Sequence, residues 1–61
     1  SSRELQVLRM VATGHSQKAI AAELNLSEKT IATYRSRIAE KLGVSTNVEL
    51  TRYALLNKLV D

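Results

Sequence analysis

The 61-residue sequence predicts an all-α fold: a compact four-helix domain containing a helix-turn-helix, with helices at about residues 2–13, 17–24, 28–42 and 47–57. Three observations predict it. Apolar residues recur at the three- and four-residue spacing of a single helix face, and no alternating run is long enough to read as a strand. Proline is absent, and the two glycines, Gly14 and Gly43, stand where apolar stripes end. A Ser or Thr precedes each helical run, and the side-chain oxygen of either satisfies an orphan N–H at a helix start.

The first helix opens on Ser1 and Glu4, which have the S-x-x-E spacing of a capping box. Leu5, Leu8, Val11 and Ala12 form its apolar stripe, and Gly14 supplies a left-handed stop. Ser16 caps the second helix. Ile20, Ala21 and Leu24 make its buried face, and Ala21 with Ala22 permits close approach of a neighbour. Asn25 ends it in the left-handed conformation that Asn tolerates, and Leu26 plugs the turn.

Ser27 caps the third helix and Gly43 ends it. Ile31, Ile38 and Leu42 fall within roughly 40° of arc at 100° per residue. Tyr34, Ala39 and the aliphatic stem of Arg35 flank that stripe. The opposite face carries Lys29, Ala32, Thr33, Ser36, Arg37 and Glu40, with no large apolar side chain. Thr46 and Glu49 repeat the capping-box spacing at the fourth helix. Its inward residues are Leu50, Tyr53 and Ala54. Val48 and Leu55, with Thr51 and Arg52 beside them, lie on a different face, and Leu59 and Val60 are expected to fold back on the core.

Bulk properties narrow the function. A chain this short buries only about 60% of its unfolded surface, so residues 1–61 make a single domain with a thin core. No room is left for a lined catalytic pocket or a small-molecule site. No nucleophile–base pairing and no phosphate-cradling glycine loop is present, so an enzyme is not expected. With no Cys and one His there is no disulfide and no zinc set, and neither metal nor cofactor is expected. No apolar run is long enough to span a membrane, and no charged start leads into an apolar stretch as in a signal peptide. These features fit a cytoplasmic protein. The chain starts at a helix cap without Met, which predicts a domain cut from something longer.

The net charge is +3, and four of the nine basic residues, Lys29, Arg35, Arg37 and Lys41, fall in the third helix. A basic stretch alone usually marks a solvated face. On the second helix of a tight pair it points to phosphate, which supplies most non-specific DNA affinity. The second and third helices are joined only by Asn25, Leu26 and Ser27, the connection of a helix-turn-helix. In such a pair the second helix lies in the major groove, about 12 Å wide, and presents its first turns to the base edges. Its small outer residues help the backbone approach. Two readings stay open for several residues. Ala32, Thr33 and Ser36 are either base readers or ordinary surface. Lys29, Arg37 and Lys41 either grip phosphate or are solvated charges. Tyr34 is a half-buried core aromatic, a hydroxyl on a phosphate, or both. Arg35 either reaches a phosphate or covers the second helix. His15 reads as an exposed loop residue.

The order S-x-R-E-L-x-V-L (Ser1 to Leu8), G-H-S-x-K-x-I-A-x-x-L (Gly14 to Leu24), L-S-E-K-T-I (Leu26 to Ile31), I-x-x-K-L-G-V (Ile38 to Val44) and E-L-x-x-Y-A (Glu49 to Ala54) resembles the LuxR/GerE/FixJ-type helix-turn-helix domain. The likeness covers essentially the whole chain. The T-I-A-T-Y-R-S-R run (Thr30 to Arg37) is most similar to NarL-type response regulators of two-component systems, in particular the BvgA/EvgA-like branch. This resemblance implies sequence-specific binding of double-stranded DNA. It implies base contacts from Ala32, Thr33 and Ser36, and phosphate contacts from Lys29, Thr30, Tyr34, Arg37 and Lys41, to which the basic Arg35 is added. It implies a homodimer through the fourth helix at Val48, Thr51, Arg52 and Leu55, and a receiver domain ahead of this one. RNA polymerase is a further candidate partner.

The sequence departs from the family pattern at several places, the leading Leu that usually precedes the first cap being absent. Ala19 stands where an acid often completes the cap of the second helix. Arg35 stands where an apolar residue is common. Ala32 carries no hydrogen-bonding group to a base, so direct readout rests on Thr33, Ser36 and the Ala32 methyl, with DNA shape supplying the remainder. Two other functions compete: a helical protein-interaction module using the Val48/Leu55 surface, and a sigma-factor-like promoter reader. The fourth capped helix argues against the second.

Overall fold

A computed structural model describes residues 2–61. Four helices follow in order: α1 (Ser2–Ala12), α2 (Gln17–Leu24), α3 (Glu28–Leu42) and α4 (Asn47–Leu56), and no strand occurs among the described residues. The expected starts of all four helices hold. The ends of α1 and α4 fall one residue earlier than expected, because Thr13 and Asn57 already belong to the turns that close them. The expected cap at Ser1 lies outside the described residues.

All four helices end in one way. A left-handed residue follows each helix: Gly14 (φ 92°), Asn25 (φ 57°), Gly43 (φ 69°) and Lys58 (φ 57°). The next residue sends its N–H five residues back, as in His15 to Met10 (3.0 Å), Leu26 to Ala21 (2.9 Å), Val44 to Ala39 (3.0 Å) and Leu59 to Ala54 (2.8 Å). This is the Schellman closure, which satisfies carbonyls that the helix leaves without partners. The stops at Gly14, Asn25 and Gly43 were expected from residue type. The stop at Lys58 was not, because Lys has a Cβ that disfavours the left-handed region. Docking of Leu59 against the core, as expected from its apolar side chain, holds it there.

An L-residue in that conformation is disfavoured by roughly 1–2 kcal/mol, while Gly adds about 0.4–1 kcal/mol of unfolded-chain entropy. Lys58→Gly is therefore expected to raise stability by about 0.5–1 kcal/mol, a rise of a few degrees in the thermal midpoint followed by circular dichroism. An unchanged or lowered midpoint would mean that Lys58 bears no strain.

The starts of α2, α3 and α4 are capped by side chains. Ser16 Oγ accepts from Ala19 N (3.1 Å) and Ser27 Oγ from Thr30 N (3.1 Å). Thr46 and Glu49 form the expected capping box: Glu49 N donates to Thr46 Oγ1 (3.1 Å) and Thr46 N to Glu49 Oε1 (3.2 Å). Ser45 N donates to the same carboxylate oxygen (3.2 Å). These donors, the Ser45 backbone first, hold the Glu49 carboxyl below the ordinary glutamate range.

The core lies where α1, α2 and α3 meet, and α4 closes it from the side of α1. Val7, Ile20, Ile31 and Leu50 are its fully buried large side chains, and every buried residue among those described is apolar. α2 packs on α3, and α1 is packed by both α3 and α4. That double contact explains Val7, which the single-stripe reading of α1 passed over. A helix covered on two sides buries a wider arc than one stripe, and Val7 lies at the edge of that arc next to Val11.

Candidate nucleic-acid interface

The α2–α3 pair sets the geometry of the site. Asn25 turns the chain, Leu26 is half-buried against the core, and Ser27 starts α3 at once. Ile31 and Ile38 are buried, with Leu42 packed beside them, so the opposite side of α3 is presented outward. The expected inward stripe is thus the observed one.

On the outer side Lys29, Thr33, Ser36 and Arg37 are exposed. Ala32 is half-buried, so the small-residue patch is narrower than its sequence position implied. The Thr33 hydroxyl donates to the Lys29 carbonyl (3.1 Å). In that rotamer Thr33 offers a base its oxygen as acceptor and its methyl as apolar contact, since the proton is already committed. Thr30, Thr33, Tyr34 and Arg37 line one shallow depression along the helix flank. Tyr34 is half-buried against the core, which bears out one of its two readings while leaving its ring at the edge of this depression. The Thr30 and Ser27 hydroxyls are 2.9 Å apart, so Thr30 is fixed by the cap of its own helix.

The four basic side chains of α3 have different surroundings. Among the described residues Lys29 and Arg37 form no ion pair, so both remain available to an anion. Lys41 Nζ donates to Glu4 Oε1 of α1 at 2.6 Å. That bond is the chief cause holding the Glu4 carboxyl below its ordinary range. With 62% of its side chain exposed, Lys41 keeps donors toward solvent. Arg35 turns the other way. Its Nε donates to Asn47 Oδ1 at 2.9 Å, and its Nη2 donates to the same oxygen. Its guanidinium thus lies at the start of α4, a placement that neither sequence reading of Arg35 included.

α4 carries the second surface. Its large exposed hydrophobics are Val48 (71%), Leu55 (49%) and Leu56 (76%), and no other helix exposes one among the described residues. Val48, Thr51, Arg52 and Leu55 share an open groove with Val11, Ala12 and Gly14 at the end of α1, and Asn47 lines it too. The four residues expected to act together are therefore on one surface. Leu56, for which the sequence raised no expectation, borders a separate depression with Val44, Glu49, Arg52 and Tyr53. The contribution of α1 and the role of Asn47 had no sequence signal, because both depend on how α1, α3 and α4 meet.

The chain matches the family described as "Bacterial regulatory proteins, luxR family" over residues 1–54. It is 44% identical over all 61 residues to the response regulator GacA of Pseudomonas aeruginosa. It is 41% identical over the same length to the oxygen regulatory protein NreC of Staphylococcus carnosus and to NreC of Staphylococcus aureus. All of this chain aligns in each case, and it spans 28% of the length of these relatives. No solved structure matches it significantly. Among the described residues no helix is long and apolar enough to cross a membrane, and no group of His, Cys, Asp and Glu could hold a metal ion.

Proposed function

The chain belongs to the luxR family of bacterial regulatory proteins, and from that premise we propose that it is the DNA-binding output domain of a two-component response regulator, acting in the cytoplasm as a homodimer on paired half-sites. The observation that carries this reading is the outer face of α3, small and basic, displayed by a tight turn on a buried stripe. A helix of that kind fits the major groove, with its first turns at the base edges. Thr33 and Ser36 read bases there, with the Ala32 methyl beside them. Lys29, Thr30, Tyr34, Arg37 and Lys41 hold phosphates on the flanks. Val48, Thr51, Arg52 and Leu55 bring two copies together. The domain performs no catalysis, needs no cofactor, and works beside RNA polymerase at promoters.

Two reading helices are needed because one is chemically modest. A mismatched base pair costs about 1–3 kcal/mol in a typical site, and two hydroxyls and a methyl supply few such contacts. Pairing doubles them. Selection from random duplex DNA tests the whole reading at once. Enrichment of a motif repeated at a fixed spacing, with affinity falling steeply as salt rises, is expected. Equal affinity for enriched and scrambled duplexes would defeat sequence-specific binding. Absence of any duplex binding would favour a protein-interaction role for the Val48/Leu55 surface.

A further inference from the structure

Arg35 lies on α3, yet its guanidinium is engaged by α4. Nε and Nη2 both donate to Asn47 Oδ1. This is the side-chain hydrogen bond that joins α3 to α4 among the described residues, and the two helices barely pack on each other otherwise. The position of α4 relative to α3 is therefore set by three things: the turn after Gly43, the packing of each helix on α1, and this bridge. The planar guanidinium fork is suited to the task, because two donors on one rigid group fix direction as well as distance. Arg35 is also half-buried, which reduces screening by salt.

Asn47 has a second neighbour. It lines the groove formed with Val48, Thr51, Arg52 and Leu55. One amide side chain thus touches both the helix that reads DNA and the surface proposed to pair two copies. We propose that Arg35 is a positioning residue: through Asn47 it holds α4 at a fixed angle to α3, and so sets the spacing at which two copies present their reading helices. This inference rests on the paired reading given above.

Geometry makes the angle consequential. At a half-site separation of about 34–36 Å, a rotation of about 10° at the pairing surface displaces a reading helix by roughly 3 Å, close to one base-pair step. A looser α3–α4 angle would let a dimer accept neighbouring spacings and would lower its affinity for the best one. A phosphate contact from Arg35 would do something else. It would add affinity for every duplex, one copy or two, and would add to the salt slope.

The experiment compares Arg35→Met, Asn47→Ala, the double variant and Asn47→Asp with the unaltered chain. Each is melted by circular dichroism to establish folding, then titrated against a duplex with one selected half-site and duplexes with two at several spacings. The expected result is a ratio of paired-site to half-site affinity lowered by about fivefold to tenfold in Arg35→Met, with a flattened spacing preference. Asn47→Ala should match it, and the double variant should be no worse than either single one, as expected when both remove the same bond. Asn47→Asp keeps the acceptor and should keep the preference.

Three results would overturn the proposal. Arg35→Met could weaken half-site and paired-site binding alike with a smaller salt slope, which would make Arg35 a phosphate contact. Both single variants could keep the full spacing preference while the unaltered chain shows one, which would sink the bridge alone. If the unaltered chain has no paired-site advantage, the dimer reading fails and this inference fails with it. Asn47→Ala decides the matter should Arg35→Met not fold.

Discussion

Ile31→Ala is expected to leave much of the domain unfolded at about 25 °C, or to lower its thermal midpoint by well over ten degrees. Ile31 is completely buried on the inward stripe of α3, where α1, α2 and α3 converge. Truncation removes apolar contacts and leaves a cavity that the neighbours fill only partly, at a cost of about 2–5 kcal/mol. A domain of this length has on the order of 3–9 kcal/mol in total, at 0.05–0.15 kcal/mol per residue. No disulfide is present to compensate. The measurement is a denaturant or thermal melt followed by circular dichroism, with Val48→Ala as a control, since Val48 is largely exposed. A midpoint within a few degrees of the unaltered chain would show that the core does not depend on α3 as described.

Arg37→Ala is expected to weaken binding to every duplex by roughly ten- to hundredfold, the equivalent of a charged hydrogen bond at about 1.5–3 kcal/mol. Arg37 is exposed, forms no ion pair among the described residues, and borders the depression with Thr30, Thr33 and Tyr34. No acidic side chain among the described residues pairs with it, unlike Lys41, which is shared with Glu4. The slope of log affinity against log salt should become shallower by about 0.9 for each phosphate given up, one for each bound copy. Base preference should stay as it was, because a phosphate contact carries no sequence information. Mobility-shift titrations at several salt concentrations on enriched and scrambled duplexes separate these effects. A change of preference with an unaltered salt slope would move Arg37 from the phosphate set to the base-reading set.

These two residues mark the division between what local sequence states and what it leaves open. Ile31 could be placed inside from periodicity alone, because 100° per residue puts it in line with Ile38 and Leu42. Arg37 could be placed outside by the same arithmetic. Ser16, Ser27 and Thr46 cap as residue type predicts, since the bond each makes is to an amide three residues on. Asn25 and Gly43 stop their helices because few other residues tolerate a positive φ. Arg35 is the counterexample. Its wheel position left a choice between phosphate and α2, and the structure chose α4.

The sequence by itself determined the four helices, the caps of α2, α3 and α4, three of the four stops, the inward stripe of α3 and the basic, small-residue character of its outer face. All of these rest on contacts within about five residues or on a helical period, so they need no knowledge of the neighbours. Tertiary structure alone decided that Val7 is buried, that Lys58 takes a left-handed conformation, that Lys41 meets Glu4, that α1 lines the α4 groove, and that Arg35 joins Asn47. Each depends on where helices distant in sequence come together. Helix period predicts which face turns inward, but not which neighbour it meets, so the partner of a long side chain such as that of Arg35 is settled only by packing.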